Sequence, residues 1–139
     1  MDLVEKSKDN LKLARKNVEK DCHLNSVVSR IYYSVFQRMK HYLIEKNFNY
    51  KNFLMMNGYV GEREFSHGTI DVAFKECYEM NMKGVVNYFA LGQVKQLKVL
   101  YEARRVADYE EYSNFNKPKV EELLSYAESI LEIFNSESA

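Results

Sequence analysis

The chain has 139 residues, the length of one domain, and its 46% apolar and 14% aromatic side chains supply enough hydrocarbon for a core, which excludes global disorder. Twenty basic and 20 acidic residues cancel, so recognition of nucleic acid by bulk charge alone is disfavoured. One Pro and five Gly are too few for an all-β sandwich, no apolar run exceeds four residues, and no apolar signal core opens the chain, which together predict a cytoplasmic protein without membrane spans.

The elements follow from helical periodicity. In residues 2–22, Leu3, Val4, Ser7, Leu11, Ala14, Val18 and Cys22 share ~100° of arc while Lys6, Lys8, Lys12, Lys16 and Lys20 lie elsewhere, which predicts a first helix with one buried stripe. Residues 25–46 predict a second, central helix. Its inner half carries Val27, Val28, Ile31, Tyr32, Val35, Phe36, Met39, Tyr42 and Leu43, and Asn25 or Ser26 is the expected cap. Arg30, Ser34, Gln37 and His41 form a polar ridge on its other side.

Residues 47–66 are rich in Asn, Gly and aromatic side chains and read as a loop packed back on the bundle. A third helix is expected over 67–80, with Ser66 as its cap and Ile70, Ala73, Phe74 and Cys77 on one face. A connection over 81–87 leads to a fourth helix over 88–109, with Val94, Leu97, Leu100, Tyr101, Ala103 and Ala107 inward. Lys117-Pro118 starts a fifth helix, since proline is tolerated in a first turn, and Val120, Leu123, Leu124, Ala127, Ile130, Leu131 and Phe134 give its stripe. The fold class is therefore all-α. One domain over 1–139 is expected, an antiparallel bundle of four to five helices.

The chemistry-bearing anomaly lies on the fourth helix. Leu97, Tyr101, Arg104 and Asp108 make an i, i+4, i+7, i+11 stripe, so two ionisable groups continue an apolar seam. Such a pair either fixes helix register or marks a cleft where the planar guanidinium meets a phosphate. His23, His41 and His67 are isolated in sequence, and no His or Cys spacing suits a metal, so neither metal nor cofactor is expected. Cys22 and Cys77 read as reduced apolar residues. Residues 1–60 hold 11 basic and 6 acidic side chains against 9 and 14 in residues 61–139, a polarity that suits self-association or an oppositely charged partner.

Three motifs in order carry a resemblance. Ser29-Arg30-Ile31-Tyr32-Tyr33-Ser34-Val35-Phe36, Ser66-His67-Gly68 and Leu100-Tyr101-Glu102-Ala103-Arg104-Arg105-Val106-Ala107-Asp108-Tyr109 resemble segments of small single-domain HEPN proteins. The resemblance implies a helical bundle that dimerises through its arginine-motif face. In many members, metal-independent RNA cleavage uses an Arg separated from a His by four to six intervening residues. Here Tyr109 stands at that spacing from Arg104, and residues 108–115 contain no histidine. Loss of a general acid–base group costs ~10²–10⁴-fold, so the implied endoribonuclease has a degenerate motif.

The resemblance thus implies a toxin–antitoxin or defence protein that binds RNA or a nucleotide in an Arg104-centred dimer groove. Arg104 holds phosphate, Asp108 orients it, and Tyr109 replaces the histidine as a hydrogen-bond donor. Arg105, Arg30 and His67 are further contributors to binding. The alternatives are a non-catalytic module paired with a minimal nucleotidyltransferase, with Tyr109 or Tyr112 as adenylylation target, and a helical dimer in which Arg104–Asp108 only sets register.

Overall fold

The computed structural model describes residues 2–82, 86–109 and 115–137, and all regular structure among them is helical. Helix α1 (Leu3–Glu19) opens on Asp2, whose carboxylate accepts from the Glu5 amide at 2.8 Å. The chain reverses through left-handed backbone at Asp21 and His23 (φ 52° and 53°) and enters α2 (Leu24–Glu45) with no side-chain cap. Asn25 and Ser26, the expected caps, consequently lie inside its first turn.

Helix α2 is the hub, packed against α1, α4, α6 and α7. Val27, Val28, Ile31, Tyr32, Val35, Met39, Tyr42 and Leu43 are buried on it, as the apolar stripe predicts, and Phe36 is half-buried. Its polar ridge does not face solvent throughout. Ser34 is fully buried; its hydroxyl donates to the Ile31 carbonyl at 2.6 Å, and its own carbonyl accepts from the Ser7 hydroxyl at 2.5 Å. Arg30 donates to Asn10 at 3.3 Å, and the Asn10 amide donates to Gln37 at 2.9 Å. Arg30, Ser34 and Gln37 make a polar seam between α1 and α2, satisfied by partners that a helical wheel of one segment cannot display, whereas His41 bonds Glu45 one turn on along its own helix at 3.1 Å.

The segment expected as a loop contains a helix, α3 (Tyr50–Met56), capped by Asn49, whose side chain accepts from the Asn52 amide at 3.0 Å. Helix α4 (Ile70–Asn81) begins three residues later than expected, with Thr69 rather than Ser66 at its cap position. The single helix expected over 88–109 is broken into α5 (Tyr88–Gln93), a 3-10 turn (Val94–Gln96) and α6 (Leu97–Tyr109). Gly92 lowers helix propensity just before that break. Helix α7 (Lys117–Glu137) starts where expected, with Asn116 accepting from the Lys119 amide at 2.9 Å.

One core joins these elements. Ile70, Ala73, Phe74 and Cys77 of α4, Leu97 and Leu100 of α6, and Val120, Leu123, Ala127, Ile130, Ile133 and Phe134 of α7 belong to one buried cluster, with the Phe74 and Phe134 rings 5.5 Å apart. Each large side chain so buried contributes ~1.5–3 kcal/mol. Cys22 and Cys77 are free thiols. No helix among the described residues is long and apolar enough to cross a membrane.

Candidate functional site

The three sequence motifs converge on one place, where α2 and α6 pack together and the turn leading into α4 lies against both. Helix α6 keeps Leu97 and Leu100 in the core, and the next positions along that stripe emerge at the edge. There Arg104 Nε donates to Asp108 Oδ2 at 3.0 Å, one helical turn away. The Arg104 side chain is only 14% exposed against 31% for Asp108, so the cation is the more enclosed of the two. Its cover is aromatic: the guanidinium carbon stands 5.1 Å from the Tyr33 ring centre and 5.9 Å from that of Tyr32, within cation–π range. A guanidinium has five N–H donors, and among the described residues the four terminal ones of Arg104 form no hydrogen bond.

Facing it is His67. The Tyr32 hydroxyl hydrogen-bonds Nδ1 of His67, and the imidazole packs between Phe36 at 4.8 Å, Tyr101 at 5.3 Å and Tyr32 at 5.4 Å between ring centres. Nε2 has no hydrogen-bond partner among the described residues. Burial, the Arg104 cation and then the Arg63 cation hold the imidazole below its ordinary pKa of 6.5, so it is neutral at physiological pH. Tyr32 is fully buried, and burial pushes its phenol well above the ordinary value of 10; it stays protonated, able both to donate and to accept.

The turn that carries His67 is fastened from beneath. Thr69 and Ser66 are buried on either side of it, and the Thr69 hydroxyl bonds both the Ser66 hydroxyl and the Tyr50 hydroxyl of α3, each at 2.7 Å. Burial raises the Tyr50 phenol to about 12. The turn is entered through Phe65, a non-glycine residue at φ 59° whose ring lies 4.9 Å from that of Tyr50. Such a left-handed residue costs ~1–3 kcal/mol and persists because its surroundings impose it. Asp71, in the first turn of α4, is a 6% exposed carboxylate that accepts from the Val72 amide at 2.9 Å. Its charge contributes to the raised values of both phenols.

The expected site residues therefore separate. Arg104, Asp108 and His67 come together. Tyr109 does not join them: five residues after Arg104 it lies ~140° around the helix, is 75% exposed, and lines a shallow depression with Glu102, Arg105 and Val106. Arg105 sits at the rim, 3.5 Å from Glu102 and with its guanidinium 5.9 Å from the Tyr101 ring centre. Arg30 belongs to the α1–α2 seam, bonded to Asn10. Tyr112 lies outside the described residues. Tyr32 and Tyr101, read from sequence as inward-facing, form the walls of the site together with Tyr33. The signal that could have flagged them is the position of Tyr32-Tyr33 inside the second-helix motif. Among the described residues no group of three His, Cys, Asp or Glu side chains is placed to hold a metal ion.

Comparison with known families identifies the fold. The HEPN domain model matches residues 1–137, essentially the whole chain, and the protein belongs to the HEPN domain family. No curated protein and no solved structure matches it.

Proposed function

We propose that this HEPN protein binds RNA by a backbone phosphate at Arg104. The observation that supports this reading most is the state of the Arg104 guanidinium: enclosed by aromatic faces, tied to Asp108 through Nε alone, and left with four N–H donors that no described residue takes. A phosphate offers the oxygens that such a planar fork bonds in pairs, at ~1.5–3 kcal/mol per charged hydrogen bond. Asp108 fixes the guanidinium plane, and Tyr33 and Tyr101 offer ring surface to an unpaired base. A toxin–antitoxin or defence role is the setting in which we read this binding.

The reaction that fits such a site without metal is attack of a ribose 2′-hydroxyl on the adjacent phosphorus, with Arg104 stabilising the added negative charge. Two copies would pair through the outer face of α6, where Val99, Val106 and Tyr109 stand in a row seven and three residues apart. The direct test is binding of a labelled single-stranded RNA, followed by anisotropy across a salt series. Arg104→Ala is expected to weaken binding ~10–100-fold and to reduce the salt slope by ~1. Unchanged affinity and slope would end this reading.

A second reading keeps one specific support. Tyr109 is 75% exposed at the end of α6, an accessible phenol for an adenylyl group from a minimal nucleotidyltransferase partner. Mass spectrometry after co-expression with such an enzyme tests it: a mass gain on Tyr109 supports this reading, and an unmodified peptide rejects it.

A further inference from the structure

We infer that the proton acceptor partnered with Arg104 is His67 of the same chain, with Tyr32 as its positioning residue, so that each protomer carries a complete Arg–His pair. This rests on the RNA-phosphate reading of Arg104 and extends it. Position in sequence conceals the pair, because 37 positions separate the two residues, and the spacing from Arg104 along α6 leads instead to Tyr109. In space, one aromatic platform joins them. Tyr32 receives the Arg104 guanidinium over its ring and His67 Nδ1 at its hydroxyl, and the Tyr101 ring closes on the imidazole from α6.

A base needs a free nitrogen, a neutral resting state and a fixed ring. His67 has all three. In the tautomer whose Nδ1–H donates to the Tyr32 oxygen, Nε2 keeps its lone pair for the ribose hydroxyl. The groups facing the imidazole are Tyr32, Tyr33 and Phe36 of α2 and Tyr101 and Arg104 of α6, with Arg63 also acting on it from the segment before the turn; Asp108 is engaged by Arg104, and among the described residues no carboxylate pairs with the imidazole to hold it protonated. A phosphate that neutralises Arg104 removes one of the cations opposing protonation, so the imidazole becomes a stronger base once substrate is bound.

In the step itself, Nε2 takes the 2′-hydroxyl proton, and the Tyr32 oxygen accepts from the Nδ1–H of the imidazolium. The O2′ electron pair forms the new bond to phosphorus. The P–O5′ bond breaks with its pair remaining on O5′, which takes a proton from water, and the hydroxide so formed discharges the imidazolium. The products are a 2′,3′-cyclic phosphate and a 5′-hydroxyl.

Subunit mixing is the test, using the full chain and an end-labelled single-stranded RNA. Arg104→Ala and His67→Ala are each expected to lower cleavage ~10²-fold or more. His67→Ala retains RNA affinity within a few-fold. Differently tagged Arg104→Ala and His67→Ala chains, co-expressed and purified together, should regain nothing, because no protomer has an intact pair. Recovery toward half of the parent rate would place the two residues on opposite protomers and overturn the inference. Full cleavage by His67→Ala would overturn it and leave the Arg104 reading standing, whereas absence of RNA binding by the parent chain would remove both. Tyr32→Phe separates orientation from packing: it should move the acidic limb of the pH–rate profile while affinity is retained, and an unmoved limb would remove Tyr32 from the assignment.

Discussion

Helix α2 has an arginine on each of two sides, its own Arg30 toward α1 and Arg104 of α6, and the contrast between them separates structure from function. On the α1 side, Arg30 donates to the neutral amide of Asn10, which passes its own hydrogen bond to Gln37, and the buried Ser34–Ser7 contact continues the line. On the α6 side, Arg104 is wrapped by tyrosine rings and its carboxylate partner is partly solvated. The first arrangement ties two helices together through neutral side chains. The second sets a cation against aromatic faces at the edge of the bundle. Among the described residues each arginine makes one side-chain hydrogen bond, so what distinguishes them is the surroundings: an amide relay between helices for Arg30, ring faces and a carboxylate one turn away for Arg104.

That contrast can be broken most sharply by exchanging the losses. Arg104→Ala should cost ~10–100-fold in RNA affinity with little change in unfolding free energy, while Arg30→Ala should leave affinity unchanged and lower stability by ~0.5–1.5 kcal/mol. RNA titration and urea unfolding on the same two variants decide it, and equal losses of affinity would dissolve the distinction. Next in size is the turn beneath the open side: Tyr50→Phe removes one buried hydrogen bond to Thr69 and should cost ~1 kcal/mol in urea unfolding, with Ser66–Thr69 still paired.

The pH dependence sharpens the comparison further. Because His67 has its pKa lowered in the folded protein, the unfolded chain binds more protons below about 6.5. The stability this group contributes is complete above that value and is lost progressively as pH falls through the folded value. Thermal unfolding between pH 7 and 5 should show that loss in the parent chain and a shallower one in His67→Gln, whereas no comparable slope is expected from the Arg30 seam, which has no titrating partner. The smallest effect belongs to Arg15 and Glu128, 3.4 Å apart but 55% and 44% exposed; removing both should change stability by less than ~0.5 kcal/mol.

The helices with long apolar stripes, α1, α2, α4 and α7, were legible because each buries a face whose period can be counted. Helix α3 was not, since seven residues hold barely two turns and the Asn49 that caps it also reads as a loop former. Arg104 and Asp108 were legible as a pair because four residues make one helical turn. His67 was visible only as a motif member: its approach to Arg104 depends on how α2 and α6 cross, which no local spacing encodes. Tyr109 illustrates the converse error, in which a linear interval is matched although helical rotation carries the side chain away.

The turn between Phe65 and Ile70 is secured by its neighbours' hydroxyls, and the imidazole it displays contributes no bond to its own backbone path. The hydrogen bonds that hold the turn therefore do not depend on the side chain at residue 67. A lineage, or an engineer, can install another functional group at residue 67 while the loop geometry is inherited intact, so gain and loss of chemistry at this address need not pass through an unfolded intermediate.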